Sequence, residues 1–151
     1  MIAETGAKIM SLTDPKKKMS KSDDPKSAIF LFDEPEVITK KILSAQTDSG
    51  KGVTYNITKK PGISNLLTIY SLLTGKTTQQ LEKEFEGKGY GDFKKSLAEI
   101  VVTYLEPFRR KQKELASREV YVQEILKQGQ ARALTIAQET MREVKEKMGL
   151  V

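Results

Sequence analysis

From Pro61 onward, apolar residues recur at helical rather than strand spacing, which confines most of this chain to an α-helical fold. Ile63, Leu66, Leu67, Tyr70 and Leu73 mark one amphipathic segment, and Gly75 is placed to end it. Thr77 or Thr78 is suited to cap the next helix, with Leu81 and Phe85 inward and Gly87 terminating it. Phe93, Leu97, Ile100, Val101, Tyr104, Leu105 and Phe108 then predict a long helix. Pro107 removes one backbone donor inside it and predicts a kink or break. Val122, Ile125 and Leu126 follow, then an interruption expected at Gly129, then a last helix carrying Ala133, Ala137, Met141, Val144 and Met148. Gly129, Ala133 and Ala137 are small enough for close helix approach, and all these stripes are expected to be core.

The N-terminal third reads differently. Residues 8–12 and 28–32 are short, apolar and branched or aromatic, which predicts strands or extended arms. Asp33 is placed as an N-cap and Pro35 in the first turn of a helix through Val37, Ile38, Ile42 and Leu43, with the glycines at 50 and 52 stopping it. The expected fold is therefore mainly α, a helical bundle behind a partly extended N-terminal arm. Three segments are expected: 1–32, 33–60 and 61–151, with turn residues and lysines between 49 and 60 marking the softest boundary.

Composition narrows the chemistry. The chain has no cysteine, which removes disulfides, thiol nucleophiles and cysteine zinc sites, and no histidine, which removes the commonest remaining metal ligand. No apolar run is long enough to span a bilayer, so no membrane is expected and cytoplasm is the expected compartment. A net charge of +6 favours polyanion partners through counterion release, although many soluble proteins are basic.

The densest chemical signal is Lys18-Met19-Ser20-Lys21-Ser22, behind further lysines and ahead of Asp23-Asp24-Pro25. Two lysines three apart can present both ammonium groups on one side of a short turn. Ser20 and Ser22 add small hydrogen-bonding groups that let a loop close on phosphate oxygens, and Met19 offers an apolar face to pack beneath it. Lysine suits such a loop as a compact charge with three donors. The chemistry served would be stabilisation of charge developing on a triphosphate. A lysine-rich run is, however, most often a solvated surface loop.

In the order KMSKS the run resembles the signature loop of synthetases that charge tRNA from a Rossmann-type catalytic domain. Residues 6–12, leading into Asp14-Pro15, are similar to those preceding the loop in bacterial tryptophanyl-tRNA synthetases. Lys60-Pro61-Gly62-Ile63-Ser64-Asn65-Leu66-Leu67 and Phe85-Glu86-Gly87-Lys88-Gly89-Tyr90-Gly91 also look like that family, and the similarity runs over nearly the whole chain. The family's second signature is built on histidines near its N-terminus, and that motif is absent. The chain is thus expected to be a C-terminal fragment of such an enzyme, with Met1 an introduced start.

That resemblance implies an enzyme activating tryptophan with ATP and transferring it to its tRNA, with Mg²⁺ on the ATP and no tightly bound cofactor. The tryptophan pocket would lie in the missing N-terminal part, and the fragment alone is expected to be inactive. It implies that residues 1–32 are the tail of the catalytic domain and 61–151 a helical domain meeting the tRNA anticodon arm. Lys21 is the first choice for stabilising charge on the triphosphate and Lys18 the second. Ser20, Ser22 and Met19 shape the ATP-binding loop, and Ile9 is expected to give adenine a backbone contact or to be an ordinary strand residue. The family is homodimeric through its catalytic domain, so the fragment is expected to be able to remain monomeric. Without the catalytic sheet, the arm's backbone groups would lack partners, and the arm is expected to be disordered or repacked.

Three further groups have simpler readings. Asp23 and Asp24 are expected to be turn or cap residues rather than metal ligands. Asn65 is expected to be a helix cap rather than a substrate contact. Arg109, Arg110, Lys111 and Lys113 form the densest basic run for tRNA, which a solvated helix face explains nearly as well; the tRNA contacts stay unassigned. The contrasting reading is a free-standing basic helical module that binds nucleic acid.

Overall fold

The computed structural model describes residues 8–150, so residues 6 and 7 of the motif flank and the Met1 start lie outside the described residues. Among the described residues there are five α-helices: α1 (Pro35–Leu43), α2 (Pro61–Thr74), α3 (Thr78–Glu84), α4 (Tyr90–Ala116) and α5 (Glu119–Lys147). They confirm a mainly helical fold. The chain divides into two units, Met1–Arg109 and Arg110–Val151.

In the first unit α2 is the central element. Pro61 opens it at a position where the missing N–H costs nothing. Every residue from Gly62 to Tyr70 is buried, so this helix is enclosed on all sides. Gly75 ends it in the left-handed conformation at φ 72°, with its N–H donating to the Ser71 carbonyl. α3 begins in a capping box: Gln80 N donates to Thr77 Oγ1 and Thr77 N to Gln80 Oε1. Tyr70, Phe85 and Phe93 tie α2, the end of α3 and α4 together, with ring centroids 5.0–5.7 Å apart. Leu12, Ile38, Ile42, Ile63, Leu66, Leu67, Leu81, Phe93 and Leu97 complete one continuous core, which reaches back into the N-terminal arm.

Several expectations need correction. The arm forms no strand among the described residues; residues 8–12 contribute a single bridge, Met10 to Lys18, and 28–32 form a bend and turn. The arm is nonetheless packed, with Ser11, Leu12, Ser27 and Ala28 all buried. The residue capping α1 is Glu34, because Asp33 is engaged elsewhere: its carboxylate accepts from Phe30 N at 2.9 Å and from Lys41 Nζ at 2.6 Å. α1 ends at Leu43 rather than at the glycines, since the chain must turn for Gln46 N to donate to Leu12 O at 2.7 Å.

α4 runs through Pro107 without a break. Arg109 folds back so that Nη2 donates to the Val102 carbonyl at 2.8 Å, one residue before the Thr103 carbonyl that the proline leaves without its helical donor. In the second unit α5 is continuous through Gly129, and none of its residues is buried. The stripe of Ile125, Leu126, Met141, Val144 and Met148 is exposed rather than core. Nothing within 4 Å meets a β-carbon built on Gly129, so its small size serves no close approach.

Candidate functional site

The lysine–serine loop grows from a short antiparallel stem. Ser11 N donates to Lys17 O and Met19 N to Ile9 O, both at 2.9 Å. These bonds flank the Met10–Lys18 pair, so Met10 and Lys18 face each other without bonding directly. The turn closing the stem is held by Ser11 and Asp14. Thr13 N and Asp14 N both donate to Ser11 Oγ, and Lys16 N donates to Asp14 Oδ1.

Met10's own N–H and C=O point away from Lys18, toward the edge where another strand would pair. Asn65 occupies that edge. Met10 N donates to its Oδ1 and its Nδ2 donates to Met10 O, each at 2.8 Å. Asn65 therefore does not cap α2, and its role escaped the sequence reading. The one available signal was a polar residue between the apolar positions 63, 66 and 67 of a buried helix.

Downstream of the stem the chain rises into an exposed turn. Ser22 N donates to Ser20 Oγ at 3.2 Å, and Lys21 is an exposed residue of this turn. Asp24 then caps a 3₁₀ turn, Pro25–Ser27, by accepting from Lys26 N at 2.9 Å. Leu12 N donates to Ser27 O at 2.8 Å and closes the base. Asp24 is thus a cap residue, as expected.

Lys18 and Lys21 are exposed and make no ion pair among the described residues. Nearby Lys17 only approaches Asp14, at 4.0 Å in an exposed pair. Met19 and Ile9 turn the other way and pack against the core. They line an open apolar groove of about 330 Å³ with Ile29, Leu31, Ile69 and Leu72 among its walls. The Ile9 carbonyl accepts from Met19 and keeps a second lone pair. The loop thus presents cations outward and anchors itself by an apolar underside. No cluster of three or more metal-ligating side chains occurs among the described residues.

The basic run of α4 divides. Arg109 is 3% exposed and bound to Glu106 at 2.7 Å, so it is not available to a polyanion. Arg110 and Lys111 are exposed. Lys111 bonds Glu114 at 2.9 Å and, with Arg118, holds that carboxyl below its ordinary value.

A family model described as tRNA synthetases class I (W and Y) matches residues 3–106, which include the stem, the loop and most of α4. The chain belongs to this family. A tryptophan–tRNA ligase of Caldanaerobacter subterraneus subsp. tengcongensis is 49% identical across 100% of the chain, which covers 46% of that relative. The Bacillus anthracis tryptophan–tRNA ligase is 51% identical across 99% of the chain and 45% of its own length. Tryptophanyl-tRNA synthetase from Campylobacter jejuni, solved in complex with ADP and tryptophan, superposes with a TM-score of 0.76 at 32% identity, over 98% of this chain and 45% of that one. The chain spans about half the length of the relatives it matches. These relatives do not favour the reading as a free-standing nucleic-acid-binding module, and no described helix is long and apolar enough to cross a membrane.

Proposed function

We propose that this class I synthetase chain supplies the phosphate-handling loop and the helical part of a tryptophan–tRNA ligase. In that reaction a tryptophan carboxylate oxygen attacks the α-phosphorus of ATP. The bond from that phosphorus to the α,β-bridging oxygen breaks, and pyrophosphate leaves. A terminal ribose hydroxyl of tRNA then attacks the activated carbonyl and AMP leaves. Both steps depend on positioning and charge neutralisation more than on a protein nucleophile.

The observation that carries this reading is the seat of residues 18–22. Two exposed ammonium groups, unpaired among the described residues, stand on the stem at Lys18 and on the turn at Lys21, while the stem is pinned to a helical core. A fixed stem with an exposed charged tip suits a group that meets the phosphates late, as pyrophosphate separates. Lys21, at the turn, takes the leading part and Lys18, on the stem, the second. Ser20 orders the turn through Ser22 N, and Met19 anchors it. Ile9 offers backbone to adenine beside the stem. The Campylobacter jejuni enzyme, solved with ADP and tryptophan, is in keeping with a nucleotide here.

Mg²⁺ would be carried by ATP, where it would add to the charge neutralisation that Lys21 and Lys18 supply. Tryptophan binding and homodimerisation belong to the catalytic domain, of which residues 1–32 form the tail. Residues 61–151 face tRNA, and the working compartment is the cytoplasm.

The test is Lys21→Ala in a complete ligase carrying these residues. Adenylate formation in single turnover should fall on the order of a hundred- to a thousandfold, with tryptophan affinity little changed. Lys18→Ala should follow with a smaller loss. An intact rate with only a raised tryptophan dissociation constant would remove the phosphate role.

A further inference from the structure

We infer that Asn65 is a positioning residue for the lysine–serine loop, acting through the Met10 backbone; this rests on the function just proposed. The stem is a pair of short segments, and two strands alone are marginal in water. A third strand would normally supply the missing ladder at the free edge of residues 9–11. Here the carboxamide of Asn65 does so, because an amide side chain carries the same donor and acceptor pair as a peptide group. Its two 2.8 Å bonds fix both the height and the rotation of Met10 relative to α2.

From Met10 the constraint passes to the loop by one step on each side. Ile9 O holds Met19 N, and Ser11 N holds Lys17 O, so Lys18 has both its neighbours tied to the segment that Asn65 grips. Asn65 is 6% exposed and lies among the nine consecutive buried residues of α2, so it is itself held rigidly. No alternative partner is needed to explain a buried amide there, since both its ends are satisfied by Met10. Lys18 is thereby referenced to the most buried helix of the unit, and Lys21 follows it by three residues in the exposed turn.

Asn65→Asp tests this with little change of shape. The carboxylate still accepts from Met10 N–H but loses the donor to Met10 O and sets a negative charge against that carbonyl. In a complete ligase carrying these residues, adenylate formation should fall on the order of ten- to a hundredfold, with tryptophan affinity unchanged. Because the residue acts through the loop cations, adding Asn65→Asp to Lys21→Ala should cost little more, a non-additive pair. An unchanged rate, or full additivity in the double variant, would overturn the inference. A second measurement does not depend on the ligase reaction. In the 151-residue chain, Asn65→Asp should speed amide exchange at Met10, Ser11 and Met19 and leave α2 amides protected. Unchanged stem exchange overturns the inference even where Lys21→Ala upholds the function. Faster stem exchange with a harmless Lys21→Ala sustains the clamp and overturns its catalytic purpose. Should Asn65→Asp not fold, Asn65→Ser, which withdraws the clamp without adding charge, is read the same way.

Discussion

Gly62 is the second residue of α2, and there the helix passes hard against the loop that follows α1. A β-carbon added to it would lie 2.2 Å from the Gln46 carbonyl oxygen and 3.0 Å from the Thr47 α-carbon. Helix propensity alone predicts that Gly62→Ala stabilises, by up to about 1 kcal/mol. The contact predicts the opposite sign. The obstacle is backbone, not the movable end of a side chain, and bringing 2.2 Å up to even the tightest tolerated 3.0 Å needs a shift of about 0.8 Å. Gln46 is poorly placed to give way, since its N–H donates to Leu12 O at 2.7 Å and so ties the loop to the stem. Overpacking of this sort costs about 1–3 kcal/mol and occasionally more. We expect a net loss of about 2 kcal/mol, or a fall of about 10 °C in Tm for a unit of this size. Gly129→Ala in α5 is the matched control: with nothing within 4 Å it should gain the propensity difference and stiffen that helix. Urea unfolding at constant m, together with amide exchange in α2 and α5, separates the two variants. A Gly62→Ala midpoint equal to or above the parent's would refute the close approach.

Two further predictions concern buried or half-buried polar groups. Burial, then the hydrogen bond to Asp48 and its charge, push the Tyr90 phenol up to about 12, so the stability it contributes is present below pH 10 and lost as pH rises from there toward 12. Phenolate absorbance should show an ionisation near 12 that Tyr90→Phe removes; an unchanged absorbance titration in that variant would contradict it. Lys94 is 8% exposed and its Nζ donates to Ala45 O at 2.7 Å and Leu43 O at 3.3 Å, so Lys94→Met should cost about 1–3 kcal/mol by urea midpoint, because two carbonyls lose their donor. Burial lowers the Lys94 pKa, so the unfolded chain binds more protons just below 10.5 and this group adds stability as pH rises there, a slope that Lys94→Met should abolish.

The helical pattern was legible wherever a helix buries one face against the first unit's core. α2, the Thr77 cap, α3 and the Phe93–Leu97–Val101 stripe follow from spacing and end signals alone. It failed where backbone partners come from distant side chains. Asp33 reads as a cap because the residue type favours caps, but a lysine eight positions on competes for its carboxylate and wins at 2.6 Å. Gly129 reads as a break, yet a lone glycine costs a helix only about 1 kcal/mol, and α5 has enough good helix formers to absorb it. The apolar spacing of α5 is real, but periodicity reports a face and not what covers it. The loop itself was legible as a motif, and residues 8–12 read as extended, but their pairing with residues 17–19 was not legible, since that lysine-rich segment carries no strand signal of its own.

Beside the exposed cations that pair with acids on the surface, such as Lys76 and Lys111, two further groups differ in a way a charge count cannot show. Lys41, Lys94 and Arg109 are buried at 7%, 8% and 3% exposure, and each donates to backbone carbonyls, Ala28, Ala45 with Leu43, and Val102 respectively, Lys41 and Arg109 also pairing with Asp33 and Glu106. Their long apolar stems make such burial tolerable, and charge-assisted bonds offset the loss of water. Together with Asn65 they supply hydrogen-bond partners to the irregular segments lying beside the helices. Lys18 and Lys21 belong to the other group. Lys18 is held by the stem and Lys21 follows in the exposed turn, while their ammonium groups meet no acid among the described residues. An ammonium already paired would have to break its partnership to meet a phosphate, at a cost that erodes the stabilisation it brings. One left unpaired on a held stem loses only its water. The separation of structural cations from free ones is therefore what leaves this loop ready for a polyphosphate, and it is a property of the fold rather than of the net +6 charge.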